Sequence, residues 1–239
     1  MEYMTSYYWN AGAGGRKNED SLSLQRVSMK HKDAAFLLVC DGIGGLKAGE
    51  WARGFVAEHM TCWFWERAVK ILGRRRWEKA LSHSALRQLM KVQEEMEWYE
   101  KEQKMRCGTT CTMAVVCQNR YVLLHSGDSR AYLLGKKERQ LTADHQLQGR
   151  LARCMGDFGF QRPDILRGRM SGGEILLLCT DGFCSSAPAG FFGESLQQNE
   201  AGLWGLEQIG RFLLAHGEQD NLTAAALQIC RKGAGRWDR

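Results

Sequence analysis

This 239-residue chain has few residues of the kind that mark a linker between domains. It has only two prolines, Pro163 and Pro188, and no proline- or serine-rich linker, which favours a single domain over residues 1–239. No apolar run approaches the ~20 residues of a membrane-spanning helix. Residues 1–10 carry neither the charged nor the apolar part of a secretory signal. We therefore expect a cytoplasmic protein that makes no membrane contact.

The nine cysteines follow no pattern typical of disulfides or zinc. Their number is odd, no Cys-x-x-Cys pair occurs, and Cys40, Cys179 and Cys230 lie within or at the ends of apolar runs. A thiol in such a run behaves as a small core residue. We expect no structural zinc and a reducing compartment.

Charge is only weakly biased, with 33 Lys and Arg against 27 Asp and Glu, a net charge of +6. Such an excess is typical of a solvated surface, whereas a nucleic-acid footprint needs basic residues gathered on one face. The one basic cluster, Arg74–Arg76, lies between two helical patterns and is predicted to be a turn. We expect no nucleic-acid partner, and this cluster alone supports the alternative of a metal-dependent nuclease.

The chain alternates in blocks of strands, helices and strands. Strands are predicted over 21–27, 34–40, 109–116, 121–125, 131–134, 175–179 and 222–229. Apolar spacings of three and four predict a helical hairpin over 47–104 and a further helix over 203–216. Residues 233–239 are expected to form a frayed tail.

Acidic residues gather at the ends of the predicted strands: Glu19, Asp20, Asp41, Asp128, Asp181 and Asp220. A single Asp-Gly pair is ordinary turn chemistry, but several acids on one rim repel each other unless cations lie between them. Oxygen ligands select Mg²⁺ or Mn²⁺, and a pair of such ions can activate water and bind a phosphoryl oxygen. The pattern by itself predicts a metal-dependent hydrolase of phosphate esters.

Short motifs follow one another from residue 16 to 229: RKNEDS (16–21), DGIGG (41–45), AGE (48–50), GTT (108–110), GDSRAYL (127–133), LTADH (141–145), LLCTDG (177–182) and DNLT (220–223). The series resembles the PP2C-type (metal-dependent, PPM) serine/threonine phosphatases, in particular their compact bacterial members. The resemblance implies an α+β fold, a β-sandwich of two antiparallel sheets flanked by helical pairs in α-β-β-α layers. The hairpin over 47–104 would be one outer layer.

The resemblance also implies an activity. Phosphoserine and phosphothreonine would be hydrolysed by in-line attack of a metal-bridging water, without a phospho-enzyme. The partners would be phosphorylated proteins, substrates of a serine/threonine kinase, and the enzyme a monomer. Two core Mn²⁺ or Mg²⁺ ions are implied, together with a weaker third.

Site residues follow from the same resemblance. Asp41 would bridge the two core ions. The other ligands would be Asp181 and Asp220 for one ion, Glu19 and the carbonyl oxygen of Gly42 for the second, and Asp128 with Asp181 for the third. Asp20 would hydrogen-bond metal-bound water, Asn221 and Thr223 would hold the Asp220 turn, and Asp144 and His145 would be structural.

The sequence departs from the family pattern at three places. The phosphate-binding arginine is displaced by one position, so that Arg16 is the candidate and Gly15 stands at the family's position. Ile43 stands where many eukaryotic members carry a histidine, so water would serve as the acid. Few residues separate His145 from 151–156, which resembles the helix after the family's flap, so the flap is much reduced.

A catalytically silent, phosphoprotein-binding pseudophosphatase is the alternative within the same fold. Such proteins usually lose metal-ligating acids. Every matching acid is present here, which favours turnover.

Overall fold

A computed structural model describes residues 2–14, 17–30, 32–43, 48–156, 161–197, 203 and 205–230. The strands are β1 (Glu2–Asn10), β2 (Asp20–Met29), β3 (Lys32–Asp41), β4 (Gly108–Thr109), β5 (Cys111–Cys117), β6 (Arg120–Ser126), β7 (Arg130–Leu134), β8 (Glu138–Gln140), β9 (Gln146–Leu147), β10 (Arg150–Leu151), β11 (Met155–Gly156), β12 (Asp164–Arg169), β13 (Ile175–Cys179) and β14 (Leu222–Cys230). The α-helices are α1 (Gly49–Trp63), α2 (Val69–Leu72), α3 (Trp77–Gln103), α4 (Asp181–Cys184), α5 (Phe191–Gln197) and α6 (Gly205–Ala215).

Two five-stranded antiparallel sheets form the centre of the fold. Their strand orders are β1-β14-β13-β7-β8 and β12-β6-β5-β3-β2. Helices α1 to α3 cover the second sheet, and α4 to α6 cover the first. The predicted α-β-β-α sandwich is therefore confirmed.

Strand β3 shows why the central strands read as continuous apolar runs. Its alternate residues Phe36 and Leu38 pack toward the helices, whereas Leu37 and Val39 pack between the two sheets. A strand that is buried on both faces carries apolar side chains on both, so polar and apolar residues do not alternate along its sequence. The core thus consists of three apolar layers, one between the sheets and one beneath each helical layer.

The predicted helical hairpin is present. A π-helical turn, Phe64–Ala68, connects α1 to α2, and the arginines 74–76 form the exposed turn before α3. Helix α3 ends at Gln103, with Lys104 in the left-handed conformation at φ 51°. No helix in the described part of the chain is long and apolar enough to cross a membrane.

The structure contains elements that the sequence did not predict, among them β8, α4 and α5. Strands β1 and β12, the outer strands of the two sheets, were not predicted. The helix expected over 151–156 is wrong, because β10 and β11 occupy this segment and Met155 pairs with Thr109 of β4. The tail expected over 233–239 lies outside the described residues.

Candidate metal centre

One edge of the candidate site is built by the paired ends of β2 and β3. Asp20 and Asp41 are direct partners in the antiparallel register, and the N–H of Gly42 donates to the carbonyl of Glu19 at 2.8 Å. A Cβ on Gly42 would lie 2.8 Å from the carbonyl oxygen of Gly49. Only glycine therefore lets helix α1 approach the strand end so closely.

The opposite edge comes from the other sheet. Asp181 is the first residue of α4, directly after β13, and its Oδ1 accepts from the N–H of Gly182 at 2.7 Å. Asp220 lies in the turn before β14, and its Oδ1 accepts from the N–H of Asn221 at 2.8 Å. A Cβ on Gly182 would collide with the carbonyl oxygen of Asn221, so the two turns pack backbone against backbone.

The side chain of Asn221 connects the two edges of the site by hydrogen bonding. Its Oδ1 accepts from the N–H of Glu19 at 2.6 Å, and its Nδ2 donates to the carbonyl of Ala11 at 2.8 Å. A single amide thus connects the Asp220 turn of one sheet to the start of β2 in the other. These contacts fit a residue that holds the turn.

The predicted ligands line one cleft of about 250 Å³. Its lining residues are Lys17, Glu19, Asp41, Gly42, Ile43, Thr110, Asp128, Leu151, Asp181, Asp220 and Asn221. The structure thus brings together residues that are as much as 200 positions apart in the sequence. Arg16, the predicted phosphate-binding residue, lies outside the described residues.

Asp20 lies beneath the cleft rather than in its lining, and its side chain is buried. Its Oδ2 accepts from the hydroxyl of Thr180 at 2.9 Å. Burial, together with the nearby charges of Asp181 and Asp220, raises the pKa of Asp20 to about 7, although hydrogen bonds to the carboxylate oppose the shift.

The pKa values of Asp41 and Asp181, two half-buried carboxyls in the lining of the cleft, are shifted in the same direction. Burial, followed by the charges of Asp20 and Asp181, raises the pKa of Asp41 well above its usual range. Burial also raises the pKa of Asp181, and the negative charges of Asp128 and Asp220 raise it further. Carboxylates forced together in this way are costly to ionise unless a cation compensates them.

The donor set fits hard divalent cations. In the described part of the chain no lysine or arginine forms an ion pair with Asp41, Asp181 or Asp220. The available ligands are carboxylate and carbonyl oxygens, which Mg²⁺ and Mn²⁺ prefer. Among the described residues no group of three or more His, Cys, Asp or Glu side chains is placed so that it could hold a metal ion, so the fit rests on the kind of donor that lines the cleft.

The segment beside Asp128 is short. Between His145 and Ala152 the chain forms only the β9–β10 hairpin, and Leu147 on it is 70% exposed. Nε2 of Gln146 donates to Oδ2 of Asp128 at 2.9 Å. The reduced flap that the sequence predicts is therefore a hairpin of two-residue strands, and its first residue contacts a candidate ligand.

Asp144 and His145 have structural partners. Asp144 accepts a bidentate pair from Arg130, with contacts of 2.7 to 3.1 Å. Nδ1 of His145 accepts from the N–H of Gly127 at 3.1 Å, and its Nε2 contacts Asp164 at 3.2 Å. His145 thus holds the backbone next to Asp128, as expected for a structural residue.

Two cationic side chains near the site, Lys17 and Arg53, were not among the predicted site residues. Lys17 lines the cleft, 82% exposed, with its Nζ 3.5 Å from Oε2 of Glu50. Arg53 of α1 donates to the carbonyl of Asp20 at 3.0 Å and to the hydroxyl of Ser21 at 2.7 Å. Lys17 could have been considered because it stands two positions before Glu19, whereas the contacts of Arg53 depend on how α1 packs.

Comparison with known proteins identifies the family. The family model "Protein phosphatase 2C" matches residues 12–151. The serine/threonine phosphatase stp of Listeria innocua is 26% identical over 222 residues, covering 82% of this chain and 86% of that protein. The structure of the serine/threonine phosphatase Stp1 from Staphylococcus aureus superposes with a TM-score of 0.83 at 22% identity, covering 96% of both chains.

A further solved structure is that of the catalytic domain of the serine threonine protein phosphatase PstP in complex with 2 manganese ions. It has a TM-score of 0.77 at 22% identity and covers 96% of this chain and 99% of that one. The fold and the cleft thus define a two-sheet sandwich with an acidic site at one end. The chain belongs to the protein phosphatase 2C family.

Proposed function

We propose that this protein is a metal-dependent phosphatase that hydrolyses phosphoserine and phosphothreonine in proteins. The observation that carries the proposal is the cleft, which is lined by five carboxylates and the Gly42 backbone. Among the described residues, no lysine or arginine forms an ion pair with Asp41, Asp181 or Asp220. Membership of the family and the names of the relatives support the same reaction. The manganese-bound neighbour supports metal dependence.

The proposed ligands are those that the resemblance implies. Asp41 would be shared by two core Mn²⁺ or Mg²⁺ ions. Asp181 and Asp220 would complete one ion's ligands, and Glu19 with the carbonyl of Gly42 the other's. When bound, such ions supply a water of lowered pKa and neutralise charge on the phosphoryl group.

The chain's own residues orient and bind the reactants. Asp20, whose carboxylate accepts from the Thr180 hydroxyl, would accept a hydrogen bond from water. Lys17, together with Arg16, would bind the substrate phosphate, for which a lysine serves as a mobile point charge. Asp128 with Asp181 would hold a third ion, which competes with the Gln146 amide for Asp128.

We also propose how the protein acts in the cell. Its partners are phosphoproteins made by a serine/threonine kinase. We expect it to act as a monomer. None of the nine cysteines, all of which lie within the described residues, forms a disulfide, and seven of them are buried, which supports a reducing compartment such as the cytoplasm.

The test is hydrolysis of p-nitrophenyl phosphate and of a phosphothreonine peptide with Mn²⁺, with Mg²⁺ and with EDTA. Turnover that requires the metal and is lost in Asp181→Asn supports the proposal. Absence of turnover with either ion, in protein whose circular dichroism shows it to be folded, would refute it and leave the pseudophosphatase.

A further inference from the structure

A second cleft, far from the acids, carries the opposite charge. It lies where β6 and β12 meet the start of α3, and we call it the basic cleft. Its volume is about 450 Å³, and its lining residues are Arg76, Glu78, Lys79, Arg120, Arg167, Gly168 and Arg169. Five cationic side chains thus face a single carboxylate. Their combined charge produces a positive potential that favours an anionic ligand.

The basic cleft lies at the opposite end of the sandwich from the acidic cleft. Strand β6 runs from Arg120 to Ser126, and Asp128 follows two residues later. Arg169 on β12 pairs with Arg120, whereas Asp164 on the same strand pairs with His125 near the acidic end. At about 3.3 Å per residue the two ends of β6 are about 20 Å apart, so the clefts are separate sites.

Two of the arginines are held in place by the protein. Arg120 pairs with Glu78 and lies over the ring of Trp77, with its Cζ 5.7 Å from the centroid. Nε and Nη2 of Arg167 donate to the hydroxyl of buried Ser82 at 3.2 and 3.0 Å. These contacts fix guanidinium groups before any ligand arrives, which lowers the entropic cost of binding.

The other three cations have no acidic partner among the described residues. No carboxylate in the described part of the chain forms an ion pair with Arg76, Lys79 or Arg169, and all three side chains are exposed. Arg169 lies directly opposite Arg120 across the strand pair, an arrangement of like charges that destabilises a sheet. Glu78 already compensates Arg120, and an anion bound beside Arg169 would reduce the remaining repulsion.

We propose that the basic cleft binds an acidic, multiply phosphorylated segment of a protein substrate while another phosphate of the same protein occupies the acidic cleft. This inference rests on the proposed function. About six or seven extended residues span the distance between the clefts. The chemistry of the basic cleft favours a peptide over a nucleic acid, because Trp77, the aromatic ring beside it, is buried and cannot stack on a base.

Direct binding tests the inference without catalysis. The probe is a fluorescein-labelled peptide with three phosphothreonines among glutamates, measured by fluorescence anisotropy in EDTA. The variant is Lys79→Glu with Arg169→Glu. The control, Arg87→Glu with Lys101→Glu, changes the net charge equally on exposed positions of α3 away from the cleft. We expect the cleft variant to bind about tenfold more weakly or worse and the control to stay within about twofold of the wild type.

Kinetics separate this inference from the proposed function. For phosphorylated casein we expect KM to rise about fivefold or more in the cleft variant with kcat unchanged, and for p-nitrophenyl phosphate we expect no change. If the wild type hydrolyses neither substrate, the proposed function fails, while the binding assay still tests the cleft. Equal loss of binding in both variants would overturn the inference. So would tighter binding of a 20-nucleotide RNA than of the peptide through the same residues.

Discussion

Lys17 is the residue whose role the structure changes most. Its ammonium is in the lining of an otherwise acidic cleft, and its ion pair with Glu50 joins two exposed side chains. Exposed pairs of this kind contribute little to stability. Substitution at this position therefore reports on substrate binding rather than on folding.

For Lys17→Ala we predict a KM for a phosphothreonine peptide about tenfold higher, with kcat little changed, because one charge-assisted contact to the phosphate is lost. Arg16→Ala is expected to raise KM in the same way. Lys17→Arg should retain most of the affinity, and Lys101→Ala on the end of α3 is the control. An unchanged KM for both alanine variants would remove the phosphate-binding role from this loop.

His125 is a buried histidine whose protonation opposes folding. Burial, followed by the charge of His145, lowers the pKa of His125 to about 4. Its ring nitrogens contact the hydroxyl of Thr112 at 2.9 Å and the carbonyl of Ala143 at 3.1 Å. The folded state therefore keeps the ring neutral at a pH at which the unfolded chain is already protonated.

The predicted consequence is a loss of stability as the pH falls from about 6.5 toward 4, amounting to about 3 kcal/mol from this group. Urea unfolding of the wild type and of His125→Gln at pH 7 and pH 4.5 measures it. The free energy of unfolding should fall more steeply in the wild type. Equal pH dependence in the two proteins would contradict this account of His125.

At the scale of elements, strand ends create the site. The Asp220 turn and the start of β2 belong to different sheets, and the side chain of Asn221 joins them by accepting from the N–H of Glu19, while it donates to Ala11 at the end of β1 in its own sheet. The site's geometry thus depends on how the sheets are aligned. A change in this amide should affect folding and metal binding together.

We predict that Asn221→Ala lowers the free energy of unfolding by about 1–3 kcal/mol, because the N–H of Glu19 loses its acceptor. Mn²⁺ affinity should fall as well. Asn221→Asp retains the acceptor oxygen but not the donor to Ala11, so an intermediate loss is expected. Thermal unfolding with and without Mn²⁺ measures both effects, and wild-type values for Asn221→Ala would exclude the linking role.

The elements that the sequence predicted are those with an apolar signal of their own. The apolar run over 34–40 and the apolar spacings of the helical hairpin over 47–104 are local patterns in the sequence, and they indicate which residues are buried. Strands β1 and β12 lie at sheet edges, where side chains are partly exposed and no apolar run marks them. Over 151–156, Leu151, Cys154 and Met155 have helical spacing, but pairing of Met155 with β4 determines the conformation.

The candidate site was more predictable than its surroundings. Its acids follow or open strands, so the sequence placed them on one rim, and the cleft brings five carboxylates together. The contacts of Arg53 and Gln146 were not predictable, since they depend on the packing of α1 and on the short β9–β10 hairpin. The basic cleft was missed because its residues come from α3, β6 and β12 and the turn before α3.

At the scale of the whole molecule, we propose that residues 1–239 form one domain. The apolar layer between the sheets is shared by residues of both, among them Leu37 and Leu176. We predict a single unfolding transition that coincides by tryptophan fluorescence and far-ultraviolet circular dichroism. Two separated transitions would show that the halves of the sandwich unfold independently.

The proposed metal centre is tested by a calorimetric titration of the metal-free protein with Mn²⁺, with Asp41→Asn measured in parallel. We predict two tight sites in the wild type, any third being clearly weaker because Gln146 already contacts Asp128. We also predict loss of tight binding in Asp41→Asn. Three comparably tight sites would contradict the role assigned to Gln146 and the shortened flap. Absence of tight binding in folded wild-type protein would contradict the metal centre itself.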